Sequence, residues 1–513
     1  MQRTRAIGAG LAALCVATSL ATACSPNAQG DQSSDTLVVA RTGDLDVLDP
    51  SRATAFQTVQ TMGLVYDTLI DTDDEGNLKP GLAEKWDDSD PESITFTLRD
   101  GVTFHNGEKL TAEDAKATLE RNLDPETKSV VSSYLANIDS VEAPDETTLT
   151  INLKQPDASL LTGLSYTGNS ILSAKDIEAG TVGKGAKGVN GTGPFAWEDW
   201  KQGQKLVLAA NKKHWGGAPE ASTVEFRVIP DEASIASGMK AGSFHLGLLT
   251  DPAVAKQING GKAKLITQPT TSYHVLQLNS KRGPLRELEA RQAIACAVDR
   301  DDVNDAVYFG KAQVTGPITS PAYDFSETDG LPCEPGDTEA AKKLLAKAGH
   351  PKGFSLDTIV MIGEYDTSTN IAQVLQSQLE KIGVTLNLER QQTNVYVDNW
   401  SSAKFDAAVA LNGGSTDPYL IYNRYFTSDG SLTTPAAYGS DKLDTLLRDS
   451  NASTDEAERE QIFGDLQQQL LHDSPWVWLF RNQMHYAAST KLTGFKSLPT
   501  ESLEHLRNAS LSG

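Results

Sequence analysis

The sequence predicts an α/β protein with more than one hydrophobic core. Its 513 residues exceed what one core usually organises, so two or three domains are expected. An apolar fraction of 39% supplies enough side chains for those cores, which excludes wholesale disorder. In the second half of the chain, strand patterns alternate with helix patterns, and this alternation is typical of α/β proteins.

The first half is the richer in strand patterns. A first strand is predicted at 36–40, and a strand-rich insert at 61–178 includes strands at 138–143 and 147–153. A glycine-rich loop is predicted at 180–193. Further along the chain we predict strands at 205–209, 223–229, 263–267 and 273–278 and a helix at 232–241.

The second half begins near residue 270. Its predicted helices are 288–298, 338–348, 369–382 and 455–471. Its predicted strands are 356–361, 384–388, 406–411 and the fully apolar 476–480.

The most informative stretch is 94–121. It begins with a strand at 94–98, and Asp100-Gly101 is typical of a hairpin turn because Gly tolerates positive φ. A second short run at 102–104 is predicted to complete the hairpin. Thr111 is then placed to cap a helix, with Glu113 and Asp114 in the first turn, where the helix dipole favours negative charge.

This stretch resembles the signature of the solute-binding proteins of peptide and nickel ABC importers. That signature runs from a strand through R-D-G-V, F-H/D-G and T-A-E-D into a helix. Other segments resemble the same family in the same order, and together they cover residues 36–510. They are Leu48-Asp49-Pro50, Val65 to Ile70, Pro80 to Trp86, Gly191 to Phe195, Leu276 to Asn279 with Ala290 to Asp299, Ala341 to Gly349, and Asp417-Pro418.

The resemblance implies an α/β, two-lobed periplasmic-binding-protein fold with a large strand-rich insert in the first lobe. Lobe I would comprise 36–268 and 485–513, and lobe II would comprise 269–484, joined by two crossing strands. The residues themselves indicate two α/β halves but not the returning strand. A monomer that closes around its ligand and delivers it to an ABC permease and ATPase is the implied function. The ligand would be a peptide, a modified peptide, a metal chelate or another organic solute.

Composition and motifs argue against several other functions. The net charge of −23 disfavours nucleic acid as a partner. The G-x-G-x-x-G match at 183–188 does not follow a strand, and the acidic run 71–76 lacks the closing Glu of an EF-hand. The S-x-x-K match at 401–404 lacks its companion motifs. We therefore expect no cofactor, no metal and no enzyme activity; a secreted hydrolase or surface chaperone is the less favoured alternative.

The N-terminus indicates an extracytoplasmic location. Arg3 and Arg5 precede an apolar run that ends at small residues before Cys24, which resembles a bacterial lipobox. We expect 1–23 to be a signal peptide, Cys24 to be lipidated, and 24–35 to be a polar tether. The membrane would then be contacted through the lipid anchor only.

Two cysteines remain in the body of the chain, Cys296 and Cys333. Outside the cytoplasm such a pair tends to oxidise, so a disulfide is one interpretation. Cys296 lies within an apolar helical pattern, and a buried free thiol is the other interpretation. Neither cysteine has the spacing of a metal site.

The resemblance also indicates where ligand would bind. In dipeptide-binding relatives, an Asp four residues before the Pro of the Asp-Pro motif holds the ligand's α-amino group, and that position here is Gly414. An aromatic residue common in relatives is replaced by Leu411, and the region 361–364 lacks the Arg that dipeptide binders place there. Both dipeptide anchors are therefore expected to be lost.

Further candidates surround that position. They are Arg41, Tyr273, His274, Trp400, Asn412, Gly413, Ser415 and Asp417. Four of them have a stated structural alternative: Arg41 could pair with Asp44 or Asp46, Trp400 could belong to the core, His274 could satisfy a buried hydrogen bond, and Asp417 could cap the following turn.

The lipobox interpretation generates a direct prediction. Cys24→Ser should leave folding intact, because the tether lies outside both lobes, and should release the protein from the membrane. Fractionation of cells and immunoblotting measure this. Retention of Cys24→Ser in the membrane fraction would contradict lipidation at this residue.

A second prediction concerns simple dipeptides, whose two charged ends require a carboxylate and a guanidinium. An unpaired buried charge costs about 3–5 kcal/mol, which corresponds to roughly two to three orders of magnitude in affinity. With Gly414 at the amine position, calorimetry with a dipeptide panel should show weak or no binding. Gly414→Asp is expected to favour ligands with a free amine, unless Glu364 or Asp417 already binds it. Micromolar binding would mean that the anchor lies elsewhere.

Overall fold

The computed structural model describes residues 35–512, except for residues 75, 321, 322, 324, 363–365 and 454. The predicted signal peptide, Cys24 and all but the last residue of the tether lie outside the described residues. No helix within the described ranges is both long and apolar enough to cross a bilayer.

The strands and helices are numbered in chain order. The strands of the described chain are β1 (Thr36–Arg41), β2 (Ile70–Thr72), β3 (Leu78–Pro80), β4 (Ala83–Asp90), β5 (Ser93–Leu98), β6 (Ile138–Glu142), β7 (Thr148–Leu153), β8 (Phe195–Lys201), β9 (Lys205–Ala210), β10 (Thr223–Val228), β11 (Leu246–Leu249), β12 (Ala263–Leu278), β13 (Phe354–Ile362), β14 (Val384–Gln392), β15 (Ala407–Asn412), β16 (Trp476–Ser489), β17 (Leu492–Thr493) and β18 (Ser510–Leu511). The helices are α1 (Phe56–Val65), α2 (Ala112–Leu123), α3 (Leu160–Leu164), α4 (Ala174–Glu178), α5 (Glu232–Ala241), α6 (Pro252–Ala255), α7 (Leu288–Ala297), α8 (Arg300–Tyr308), α9 (Thr338–Lys347), α10 (Asp366–Glu380), α11 (Thr393–Ser401), α12 (Pro418–Phe426), α13 (Thr433–Ala436), α14 (Asp441–Ala452) and α15 (Glu456–Asp473).

One mixed sheet runs through both halves of the molecule. Its strand order is β14-β13-β15-β12-β16-β11-β1-β10-β9-β8. β12 and β16 are its longest members and pair antiparallel from Ala263–Ser489 at one end to Gln277–Trp476 at the other. The predicted lobe limits, 268/269 and 484/485, fall within these two strands.

Each side of the sheet's centre has its own core. Val39, Phe226 and Tyr486 belong to a buried cluster on the β1 side, whereas Ile294 and Val409 belong to one on the β15 side. Two cores around one sheet agree with the predicted two-lobed α/β fold, which is confirmed by the related structures described below.

The strand-rich insert forms a separate sheet, in the order β4-β5-β7-β6. Helix α2 begins as predicted, because the Thr111 N–H donates to the Asp114 carboxylate at 2.8 Å and the Thr111 hydroxyl approaches the same oxygen at 3.0 Å. Ala115 and Leu119 are buried on the inward face of α2. The predicted strands at 94–98, 138–143 and 147–153 are confirmed by β5, β6 and β7.

One detail of the sequence prediction is wrong, and in two places the predicted strands are longer than expected. The run 102–104 is not the second strand of a hairpin, because β5 pairs with β4 and β7 instead. Within that run, the backbone N–H of Phe104 donates to the Glu108 carbonyl, which closes a tight local turn. The predicted strands 263–267 and 273–278 form one continuous strand, β12, with a register irregularity between Pro269 and Tyr273. The predicted strand 476–480 extends to Ser489, which supplies the returning strand that the sequence did not indicate.

The two body cysteines are joined. Cys296 in α7 and Cys333 form a disulfide that spans 37 residues of sequence, with their Cα atoms 5.8 Å apart. Of the two interpretations that the sequence left open, the structure shows the bridge.

Candidate functional site

A cavity of about 580 Å³ lies where the two halves of the chain meet. From the first half it is lined by α1, through Phe56 and Gln60, and by Tyr134 and Tyr166 of the insert. The second half contributes α11, the end of β15 and α12, and a third wall is formed by residues 500–508 near the C-terminus. Its volume is in the range that small organic ligands occupy in proteins.

Aromatic side chains form much of the wall. They are Phe56, Tyr66, Tyr134, Tyr166, Trp215, Tyr396, Trp400 and Tyr425. Tyr134 and Tyr166 meet edge to face with ring centroids 5.7 Å apart. The Trp400 indole N–H donates to the Gln277 side-chain oxygen at 2.7 Å, which fixes its ring at the cavity wall. Such walls can hold apolar or planar parts of a ligand.

The segment between β15 and α12 carries the predicted ligand position. Asp417 caps α12 by accepting a hydrogen bond from the Tyr419 N–H at 2.9 Å, and Pro418 occupies the first helical position, where no N–H is needed. The other oxygen of Asp417 accepts from the Arg459 guanidinium at 2.9 Å. The Asp-Pro motif therefore stabilises the start of α12, which agrees with the structural alternative that Asp417 caps the following turn.

Gly413 and Gly414 differ in the space around them. A Cβ at Gly414 would lie 1.8 Å from the Thr271 carbonyl oxygen, which belongs to the β12 backbone. A side chain there requires the backbone to shift, so Gly414→Asp is expected to disturb this loop, and its effect on amine binding stays a prediction. A Cβ at Gly413 would meet only Phe56 at 3.9 Å and the Arg424 guanidinium at 4.0 Å, which are ordinary contacts.

Arg424 brings a charge into the cavity wall. It lies in the last turn of α12, its side chain is nine-tenths buried, and its guanidinium carbon stands 5.0 Å from the Tyr425 ring centroid. Its Nη2 donates a long hydrogen bond of 3.5 Å to the Gly413 carbonyl. No carboxylate of a described residue lies within 4.0 Å of it. An uncompensated buried charge is costly, about 3–5 kcal/mol when a partner is removed.

The charges at and near the C-terminal wall are mixed, since Glu504, His505 and Arg507 all line it. Asp71 pairs with Lys79 at 3.1 Å, and Asp74, which lies beside this wall, accepts from Lys496 at 2.9 Å and lies 2.8 Å from the His505 ring. Burial, with the nearby Asp71 charge, raises the pKa of Glu504. The cavity thus combines Arg424 at α12 with a mixed set of charged groups, which includes Asp71, Lys79, Glu504 and Arg507.

Five of the predicted site residues line the cavity. They are Trp400, Asn412, Gly413, Gly414 and Ser415, and Leu411 lies beside them. Asp417 lies outside the lining, where it caps α12 and pairs with Arg459. Glu364 lies outside the described residues.

Three other candidates also lie outside the lining. Arg41 donates to the Gln57 carbonyl at 3.1 Å and the Thr61 hydroxyl at 2.9 Å, rather than pairing with Asp44 or Asp46. Tyr273 is fully buried in β12. His274 lies 3.1 Å from the Tyr308 hydroxyl, and burial lowers its pKa to about 4, so its ring is neutral at physiological pH.

Sequence reasoning missed Arg424, Glu504 and most of the aromatic wall. Arg424 could have been noticed, because it is the single charged residue of the helix Pro418–Phe426. A lone charge among apolar residues of a buried helix indicates a functional position more often than a solvated one. Glu504 had no such signal, since it follows an irregular stretch.

Comparison with known proteins identifies the family. The sequence model described as "Bacterial extracellular solute-binding proteins, family 5 Middle" matches residues 77–433, more than half of the chain. The chain belongs to this family. The peptide and nickel importer resemblance of the sequence motifs is therefore confirmed.

Two relatives and one solved structure each match most of the chain. The probable D,D-dipeptide-binding periplasmic protein DdpA of Escherichia coli K12 is 27% identical over 96% of this chain and 97% of its own length. Heme-binding protein A of Haemophilus influenzae is 27% identical over 85% of each chain. The solved structure of the periplasmic binding protein AgaA of A. tumefaciens R10, in complex with agropinic acid, superposes with a TM-score of 0.85 at 26% identity, covering 93% of this chain and 99% of AgaA.

The two adjacent glycines give a matched pair of variants. Gly414→Ala should lower the free energy of unfolding by about 1–3 kcal/mol, because its Cβ overlaps the Thr271 carbonyl. Gly413→Ala should change it by less than about 1 kcal/mol, because its Cβ meets only ordinary contacts. Urea unfolding of both variants measures the difference. Equal stabilities would show that the loop relaxes freely and that Gly414 is no steric constraint.

Proposed function

We propose that this chain is a lipid-anchored receptor that captures a peptide or a related organic solute in the cavity and delivers it to an ABC permease. The main support for this proposal is that residues from both halves of the chain line the cavity. A solute in such a site contacts both lobes at once, so it favours the closed arrangement by its contacts to the second wall. We propose lobe I as 36–268 with 485–513 and lobe II as 269–484.

Direct contacts next to the cavity support hinge closure. The Asn423 side-chain amide on α12 donates to the Ser133 carbonyl of the insert at 3.1 Å, and the Ser431 hydroxyl donates to the Val130 carbonyl at 2.8 Å. Separating the lobes would break these hydrogen bonds and those from residues 158–159 to Asn451, and it would remove Tyr134 from the apolar cluster that it shares with Tyr425. Each hydrogen bond contributes only about 0.5–1.5 kcal/mol, so the contacts of the ligand are expected to decide between the open and closed states.

The ligands named for the related proteins belong to several chemical classes. A D,D-dipeptide, heme and agropinic acid are named for the three proteins above. Our proposal therefore includes both peptides and non-peptide organic solutes as ligand classes. Within this proposal no bond of the solute is made or broken, because delivery to a permease requires only reversible binding.

Filling the cavity tests the proposal. Leu411→Trp should abolish solute binding, because Leu411 lines the cavity and the larger ring would occupy its volume. Val395→Trp is the matched control, since Val395 is 47% exposed and outside the lining. Native mass spectrometry of protein purified without denaturation should show one unaltered solute per wild-type or Val395→Trp chain and none on Leu411→Trp. Equal occupancy in all three, or release of a chemically altered solute, would contradict a receptor that binds in this cavity.

A further inference from the structure

The positive groups around the cavity differ in how they are compensated. Lys79 pairs with Asp71, and the Arg507 guanidinium donates to the Gly216 carbonyl at 2.6 Å. Arg424 is more buried than either, and its Nε–H has no hydrogen-bond acceptor among the described residues. Its guanidinium donates the long hydrogen bond to the Gly413 carbonyl and also bonds the Tyr425 side chain.

The surroundings of Arg424 compensate its charge only in part. Burial raises the pKa of Tyr134 and of Tyr425, so both hydroxyls stay protonated and carry no negative charge at neutral pH. The C-terminal end of α12 provides about half an elementary charge at most. The ring of Tyr425 adds a cation–π contact. A full opposite charge is supplied by none of these groups.

We propose that Arg424 is the anchor for a carboxylate of the ligand. This inference rests on the proposed function, since it concerns the same cavity. A planar guanidinium offers paired N–H donors that match the two oxygens of a carboxylate.

The position of Gly413 agrees with this assignment. Its missing side chain leaves the space beside the Arg424 Nη2 open, and a Cβ there would stand 4.0 Å from that nitrogen. An Asp at this position would place a carboxylate of the protein where we place the carboxylate of the ligand. Gly413 thus keeps the guanidinium available.

The consequence is a preference for acids that does not require a free amine. A ligand with a carboxylate should bind about 10- to 100-fold more tightly than the same molecule with a neutral amide in its place.

Acetate and acetamide are suitable probes, because they share size and shape but differ in charge. The arginine Nε resonances of the folded protein are observed by NMR after ¹⁵N labelling, and the Arg424 resonance is assigned by its loss in Arg424→Gln. Acetate at millimolar concentration should shift this resonance saturably, and acetamide should not. Gly413→Asp should weaken the acetate response at least about 10-fold relative to Gly413→Asn, which has the same size without the charge.

The outcomes distinguish a failure of the carboxylate anchor from a failure of the proposed receptor function. No shift with acetate, or equal shifts with acetate and acetamide, overturns the anchor. If native mass spectrometry still finds a solute on the wild-type chain, the proposed function stands without the anchor. If neither a solute nor acetate binds, both proposals fail. A saturable response specific to acetate that is lost in Gly413→Asp establishes the anchor.

Discussion

The antiparallel ladder between β12 and β16 is the interaction on which the rest of the structure depends. Every other strand of the large sheet lies to one side or the other of this pair. Its register is irregular between Pro269 and Tyr273, where Thr271 donates its N–H to the Pro499 carbonyl at 2.9 Å instead. Thr271 and Ser272 at this irregularity line the cavity. Any change in the angle between lobes must bend these two strands, and the interrupted ladder is the least costly place to do so.

The site combines a broad apolar surface with few charges. The aromatic wall can bury the apolar parts of many solutes, so it contributes affinity without strong selectivity. Orientation must then come from the charged groups of the lining, among them Arg424 on α12, Asp71 on β2, and Glu504 and Arg507 near the C-terminus. Removing an apolar contact would weaken binding of all ligands, whereas changing a charge would alter which ligands bind.

Local structure was predictable because its causes are local. The capping of α2 by Thr111 and Asp114 depends on residues three apart, and the strands of the insert follow from alternation within six residues. The returning strand was not predictable, because the residues of β16 pair with residues of β12 that lie 199 to 226 positions away in the sequence. The same difference between local and long-range causes applies to the candidate site. The loop at Gly413 and Gly414 was located from its motif, but the steric role of Gly414 depends on Thr271 in another strand. Arg41 ends strand β1, yet the direction of its side chain is set by acceptors on α1 that no pattern marks.

A crystal structure of the chain with its co-purified solute tests the central claim most directly. The account predicts solute density in the cavity between the lobes, in contact with the aromatic wall on both sides, and a carboxylate oxygen within hydrogen-bond distance of the Arg424 guanidinium. Density for the solute at another surface, or a bound solute whose carboxylate faces away from Arg424, would contradict it.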